Sequence, residues 1–228
     1  MAKAKQVPTQ DQDFIDILTN TFKLIGASWE ALKLNFWTLT LVTIVPLFVF
    51  LLAIPFAFVP ILVDGNGRIL TIALAVAAFV AAIFLACLFF PAVTITQLES
   101  VRGNKVGFKE VFDRSKGMAL PYLGLAIIVG LTILFGFVLL IIPGLIAIFM
   151  LSMAMFIYVD KKPGVIEAYK QSFALVKENI LIVLAMFVVN IGVSAVSNVP
   201  FIGWIISLVL SVAYFCLPAI IYNKISKK

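Results

Sequence analysis

The sequence of 228 residues contains no histidine. Histidine is the commonest general base at neutral pH and a leading metal ligand, so its absence disfavours histidine-dependent hydrolysis and many metal sites. Charged residues are also scarce, at 12%, whereas hydrophobic residues make up 63%. A soluble domain of this length cannot cover so much apolar surface with polar groups. The composition therefore predicts an integral membrane protein.

Cysteine is nearly absent too, and both Cys87 and Cys216 lie inside apolar runs. In that setting small buried thiols are more typical than a disulfide. No cluster of Cys, Asp and Glu has metal-ligand spacing, and neither a Gly-x-Gly-x-x-Gly loop nor a Walker loop occurs. We expect no enzyme activity, no cofactor and no metal. The net charge of +6 does not indicate nucleic-acid binding, because the cations flank apolar runs.

Long apolar runs separated by short polar segments dominate the chain. The run 119–159 would form a helix of about 62 Å, roughly twice the hydrocarbon core of a bilayer. It must fold back, and Pro143-Gly144 is the expected turn, because proline lacks an amide donor and glycine tolerates the bend. The predicted fold is all-α, a polytopic integral membrane protein whose six transmembrane helices form three hairpins. The predicted spans are 36–63, 69–96, 119–142, 145–159, 179–199 and 201–222.

The segment 13–35 is predicted to be an amphipathic helix rather than a span. Such a helix lies in the membrane interface with its apolar face towards lipid, or it packs on a neighbouring part of the protein; we favour the interface. Further short amphipathic helices are predicted within the polar segments 97–118 and 160–178. The apolar stripe of the first helix consists of Phe14, Leu18, Phe22, Ile25, Trp29 and Leu32.

The cations fall almost entirely in every second polar segment. With six spans and a cytoplasmic N-terminus, every Lys and Arg except Arg68 lies on the cytoplasmic side. This positive-inside pattern also requires the fold-back within 119–159, since a single span there would place the lysines of 160–178 outside. The expected location is a prokaryotic plasma membrane. The expected organisation is a disordered cytoplasmic tail at 1–12 with no cleaved targeting segment, an interfacial helix at 13–35, a six-span membrane domain at 36–222 and a cytoplasmic tail at 223–228.

Polar side chains within the predicted spans concentrate in the fifth one. Asn190, Ser194 and Ser197 recur there at near-helical spacing, and Asn198 follows just beyond. In lipid such groups usually form hydrogen bonds between helices, and we favour that role over a substrate site. Glycines along the third span are similarly interpreted as helix-packing positions.

A weak internal repeat relates two parts of the chain. Glu110 and Ser115 match Glu167 and Ser172 at an offset of 57 residues, and a proline further on matches at the same offset. Each unit is an amphipathic segment followed by a hairpin, and the beginning of the chain has the same layout. Duplication and a chance likeness between membrane hairpins are equally compatible with these matches.

Three stretches resemble a known family: LLIIPGL at 139–145, YVD at 158–160 and EAYKQSFALVK at 167–177. They are similar to the membrane domain found in some bacterial glycerophosphoryl diester phosphodiesterases and in related six-helix bacterial membrane proteins. The resemblance is best over 109–222 and implies a six-helix membrane fold. It does not imply phosphodiesterase activity, because in that family hydrolysis resides in a separate soluble domain, dependent on histidine, which this sequence does not resemble.

The sequence thus favours a non-enzymatic, multi-pass membrane protein that organises lipids or a partner protein through its basic cytoplasmic face. The expected partners are membrane lipids, including anionic head groups, and a membrane or cytoplasmic protein. The alternative is a small transporter or channel subunit with a neutral polar pathway near Asn190 and Ser194. No Asp or Glu lies within the predicted spans, which disfavours ion-coupled transport.

Overall fold

A computed structural model of the chain describes residues 14–62, 66–196 and 203–227. Within these ranges the chain is helical apart from turns and short linkers, so the predicted all-α class is confirmed there. The predicted tail at 1–12 lies outside the described residues. The helices are α1 Phe14–Leu34, α2 Phe36–Leu62, α3 Asn66–Arg102, α4 Phe108–Lys116, α5 Ala119–Leu139, α6 Ile141–Leu151, α7 Ala154–Lys161, α8 Val165–Glu178, α9 Ile180–Val196, α10 Gly203–Tyr214 and α11 Leu217–Ile225.

Some of these helices are suited to a bilayer. Within the described ranges Ala119–Leu139 and Ile141–Lys161 are each long and apolar enough to span a membrane. Two pairs of helices pass the same test only when each pair is taken together: α1 with the start of α2, bent by 83°, and α8 with α9, bent by 92°. If each bent pair is one span, the described residues contain up to four spans. The protein therefore has helices that could cross a membrane, and the count of six remains a prediction.

The turn between α5 and α6 differs from the predicted one. It lies at Leu140, whose backbone is extended, whereas Pro143 and Gly144 belong to the first turn of α6. Proline is tolerated there, because the first amide groups of a helix have no intrahelical acceptor. Gly144 instead packs directly against Gly136 of α5, since a Cβ atom added to Gly136 would lie 2.8 Å from the Gly144 Cα atom.

The helices form three units of similar layout. Each begins with an amphipathic helix (α1, α4 or α8), and each continues into apolar helices that pack together: α2 with α3, α5 with α6 and α7, and α9 with α10 and α11. The amphipathic helices pack on other units: α4 on α3 and α2, α8 on α5, α6 and α7, and α1 on α9, α10 and α11. α1 therefore closes a ring of contacts, because it packs on the last of the three described units.

A buried serine marks each of these contacts between units. The Ser115 hydroxyl of α4 donates to a backbone carbonyl of α3, and the Ser172 hydroxyl of α8 donates to one of α6 at 2.9 Å. Ser28 of α1 accepts the amide N–H that precedes α11, at 3.1 Å. All three serines are fully buried. Small hydroxyl residues allow close helix approach while their own polar groups stay satisfied.

The weak sequence repeat corresponds to equivalent positions in this arrangement. Its matched serines, Ser115 and Ser172, make the same kind of contact between units. Its matched acidic residues, Glu110 and Glu167, each interact with the side chain one helical turn later. The second proline of the repeat, Pro200, lies outside the described residues.

The face through which α1 packs overlaps the predicted stripe only in part. Leu32 is buried and Leu18 and Ile25 are half-buried against the core, but Phe22 and Trp29 remain 46% and 37% exposed. The buried face instead includes two hydroxyl residues, because each of them is satisfied by a backbone partner. Packing on the protein therefore accounts for one side of α1 and leaves aromatic rings uncovered on another. The buried residues are Ile17, Thr21, Ser28 and Leu32.

The core lies where the amphipathic helices meet the adjoining ends of the apolar helices. In α3 the described buried residues lie between 89 and 100, whereas those described from 69 to 81 are exposed or half-buried. The α5–α6 turn is also uncovered, with Leu139 73% and Ile141 70% exposed. Contiguous apolar surface of this extent is typical of a membrane contact.

Gly136→Ala tests the close approach of α5 and α6. The new methyl group has no room beside Gly144, so the helices must separate, and we expect a loss of about 1–3 kcal/mol in stability. Gly130→Ala is the matched control, since nothing lies within 4 Å of a Cβ atom at Gly130. Thermal unfolding in mild detergent measures both variants. Equal stability of the two would contradict the packing described.

Single cysteines test the predicted orientation in a background that lacks Cys87 and Cys216. Gly67 precedes the apolar part of α3 and Gly117 follows α4, and both are exposed. Gly67→Cys should react with a membrane-impermeant thiol reagent in intact cells, whereas Gly117→Cys should react only after permeabilisation. Labelling of Gly117→Cys in intact cells would rule out the predicted topology.

Candidate functional site

Asp160, near the end of α7, connects all three units. Its Oδ1 atom accepts a hydrogen bond from Arg102 of α3 at 2.5 Å, and its Oδ2 atom accepts one from the Tyr222 hydroxyl of α11 at 2.9 Å. The Asp160 side chain is 17% exposed and that of Arg102 is 30% exposed. Tyr222 is fully buried, and its ring stacks on Phe156 of α7 with centroids 5.8 Å apart. One carboxylate thus fixes three helices from distant parts of the chain.

A cavity of about 360 Å³ lies beside this junction. Glu99, Arg102, Arg114, Asp160 and Lys162 contribute its charged lining, together with apolar side chains of α3, α7 and Met118. Arg114 pairs with Glu99 at 3.1 Å, so an arginine already occupies each carboxylate of the lining. The net charge of the described lining is therefore one positive, and Lys162 is its one cation without an ion-pair partner among the described residues.

Lys162 has an unusual backbone conformation. Its φ angle of 49° lies in the left-handed region, which residues other than glycine rarely adopt. The conformation ends α7, because the Lys162 amide donates to the Tyr158 carbonyl at 3.0 Å and Pro163 cannot continue the helix. The end of α7 therefore holds the backbone of a lysine at the edge of the cavity.

The chemistry available in this cavity is electrostatic. In the part of the chain that the structure describes, no group of three or more His, Cys, Asp or Glu residues is placed to hold a metal ion. Asp160 and Glu99 are each engaged by an arginine. The arrangement is suited to holding helices together and to presenting a cation at the cavity edge.

Sequence reasoning did not assign a role to Asp160. It stands at the first position of a polar segment, where an exposed carboxylate is ordinary. The YVD stretch at 158–160 could have indicated this role. An acidic residue at the very end of an apolar helix needs a polar or charged partner close to the membrane. Its partners Arg102 and Tyr222 lie 58 and 62 residues away, beyond the reach of local pattern analysis.

The polar residues of the fifth predicted span lie away from this cavity. Asn190 and Ser194 are exposed on α9. The Tyr214 hydroxyl of α10 interacts with the Asn190 side chain and donates to a backbone carbonyl of α9 at 3.3 Å. This contact supports the predicted role of Asn190 as a bond between helices. Ser197 and Asn198 lie outside the described residues.

Comparison of the chain with family models, with curated proteins and with solved structures finds no match. The resemblance to the phosphodiesterase membrane domain therefore remains a prediction. Function has to be inferred from the geometry of this chain.

Asp160→Ala tests the junction of the three units. The change leaves Arg102 and Tyr222 without their shared partner in a poorly solvated place, and we expect a loss of about 2 kcal/mol in stability. Asp113→Ala is the matched control, because Asp113 pairs with Lys116 through side chains that are 56% and 54% exposed. Thermal unfolding in detergent should show a large change for Asp160→Ala alone. A similar response of both variants would contradict a central role for Asp160.

Proposed function

We propose that the protein is a non-enzymatic, multi-pass membrane protein that organises lipids or a partner protein through a basic cytoplasmic face. The observation that carries this proposal is the sharp bend between amphipathic and apolar helices. α1 meets α2 at 83°, and α8 meets α9 at 92°. A helix in the membrane interface that turns into a spanning helix requires such an angle.

The cations of the amphipathic helices and their linkers support the same proposal. They are exposed, so their charges are available to ligands outside the protein. Near an anionic membrane surface each such cation contributes about 1 kcal/mol of attraction. We name this surface the basic face; its described members are Lys23, Lys33, Lys105, Lys109, Lys116, Lys161, Lys162, Lys170 and Lys177.

The proposed location is a prokaryotic plasma membrane, with six spans and both termini in the cytoplasm. The distribution of cations along the sequence supports this orientation, because positive charge is retained on the cytoplasmic side of spanning helices. The resemblance to the phosphodiesterase membrane domain is compatible with the same placement. In this arrangement the exposed apolar surfaces of the hairpins contact lipid chains, and the basic face lies at the head groups.

The transporter alternative has less support from the described residues. Its polar pathway would include Asn190 and Ser194, but both are exposed on α9, and Asn190 interacts with Tyr214 of the neighbouring helix. Solute flux into proteoliposomes that is abolished by Asn190→Leu would favour this alternative over the one proposed.

Neutralising part of the basic face tests the proposed function. A variant with Lys109, Lys116, Lys170 and Lys177 changed to Gln removes cations from two amphipathic helices and spares the Asp160 junction. Purified in mild detergent, it should retain several-fold less anionic lipid, or less of a bound protein, than the wild type. Mass spectrometry of the co-purified lipids and proteins provides the measurement.

The matched control changes the same four lysines to Arg, which preserves their charge. It should retain as much lipid or partner as the wild type. Unchanged retention by the Gln variant would refute a role for the basic face.

A further inference from the structure

A second cavity, of about 420 Å³, lies at the corner where α1 bends into α2. Lys33 from the end of α1 and Lys105 from the α3–α4 linker line it, together with Phe36 and Trp37 at the start of α2. None of the described residues that line it is acidic. We call this the corner cavity. Its lining combines two cations with aromatic rings, whereas the cavity beside Asp160 contains paired charges.

The corner is held by hydrogen bonds from buried side chains. The Asn35 amide group donates to the Asn104 carbonyl at 2.7 Å, and its Oδ1 atom accepts the Val106 amide at 2.9 Å. Thr38 donates to the Val106 carbonyl at 2.8 Å. The backbone on both sides of Lys105 is therefore fixed to the corner, and Lys105 itself is exposed. A ligand that binds here meets a cation whose backbone is already ordered, which lowers the entropy lost on binding.

The two lysines differ in how they are engaged. Lys105 has no hydrogen bond or ion pair to any part of the chain that the structure describes. Lys33 pairs with Glu30 at 2.9 Å, but the two side chains are 52% and 71% exposed. An exposed pair of this kind contributes little stability, so a phosphate group can replace Glu30 as the partner of Lys33.

The aromatic pair indicates the depth of the corner cavity in a membrane. Trp37 is 75% exposed and Phe36 is 44% exposed, and their rings pack edge to face with centroids 5.6 Å apart. Tryptophan is enriched at the boundary between head groups and lipid chains. The corner is also the point at which an amphipathic helix turns into an apolar one. Phosphate groups of lipids occupy this level, and acyl chains begin directly below it.

We propose that the corner cavity binds the phosphate group of an anionic phospholipid, with Lys33 and Lys105 contacting the phosphate and Trp37 contacting the first part of the acyl chain. This proposal rests on the proposed function and assigns one discrete lipid site to the basic face. Inorganic phosphate shares the recognised chemistry, but it would leave the exposed aromatic pair without a partner.

Quenching of Trp37 fluorescence tests the proposal directly. The chain has three tryptophans, so Trp29→Phe and Trp204→Phe leave Trp37 as the sole indole fluorophore. The protein is reconstituted into phosphatidylcholine vesicles that contain a minor fraction of brominated phosphatidylglycerol or, in parallel, the same fraction of brominated phosphatidylcholine. We expect stronger quenching by the anionic lipid, because the corner cavity concentrates it next to Trp37.

Lys33→Gln with Lys105→Gln should weaken the preference for the anionic lipid next to Trp37 about thirtyfold, since each substitution removes a direct contact with the phosphate that is worth about a fivefold factor. Lys170→Gln with Lys177→Gln is the matched control, because it removes two exposed lysines from α8 and leaves the corner intact. It should retain the preference. Inorganic phosphate in the buffer should not reduce the anionic-lipid preference.

Three results would overturn the proposal. Equal loss in both double variants would indicate diffuse attraction, so the corner site would fail while the proposed function stands. Equal quenching by the two lipids in the wild type, together with unchanged lipid retention after neutralisation of the basic face, would count against both. Displacement of the anionic lipid by inorganic phosphate would assign the cavity to a free anion.

Discussion

The structure depends on one carboxylate that is shared between an arginine and a tyrosine. Asp160 receives Arg102 from the first unit and Tyr222 from the third, and it belongs itself to the second. Poor solvent access strengthens both interactions, and removal of the carboxylate would leave two polar partners unsatisfied. Two further buried polar contacts join the units: the hydroxyl groups of Thr94 and Tyr122 lie 2.9 Å apart, and the Gln97 amide group donates to the Phe215 carbonyl at 3.0 Å. Apolar packing alone, in a protein surrounded by lipid, specifies relative helix positions weakly, because lipid chains are equally good apolar neighbours.

The amphipathic helices provide a second set of contacts between the units. Each packs on another unit through a buried serine, so the units are joined in a ring of contacts while the α5–α6 turn stays uncovered. The same helices carry the exposed lysines. The amphipathic helices therefore both connect the units and present positive charge, and the corner cavity forms where one of these helices bends into an apolar helix. A lipid bound in the corner cavity would contact the end of α1, the helix that closes the ring of contacts.

Periodicity and composition were sufficient for much of the fold. The α1 helix, the all-helical class and the fold-back within 119–159 follow from local spacing and from the thickness of a bilayer, which a chain of this hydropathy must match. The turn at Leu140 was misplaced, because proline and glycine were assigned to the turn itself although the start of a helix tolerates proline equally well. The role of Asp160 and the packing of Ser28 depend on residues far away in the sequence. Such contacts are set by tertiary geometry, and no local pattern contains them.

The position of α1 has a consequence for the order in which the protein can assemble. Ser28 is bonded to a backbone group that lies 188 residues later, so α1 completes this contact only after the segment before α11 has been synthesised. Until then the Ser28 hydroxyl lacks this partner, and forming the contact closes a very long loop. The packing of α1 on α9, α10 and α11 is therefore completed late, after the other described helices have been synthesised.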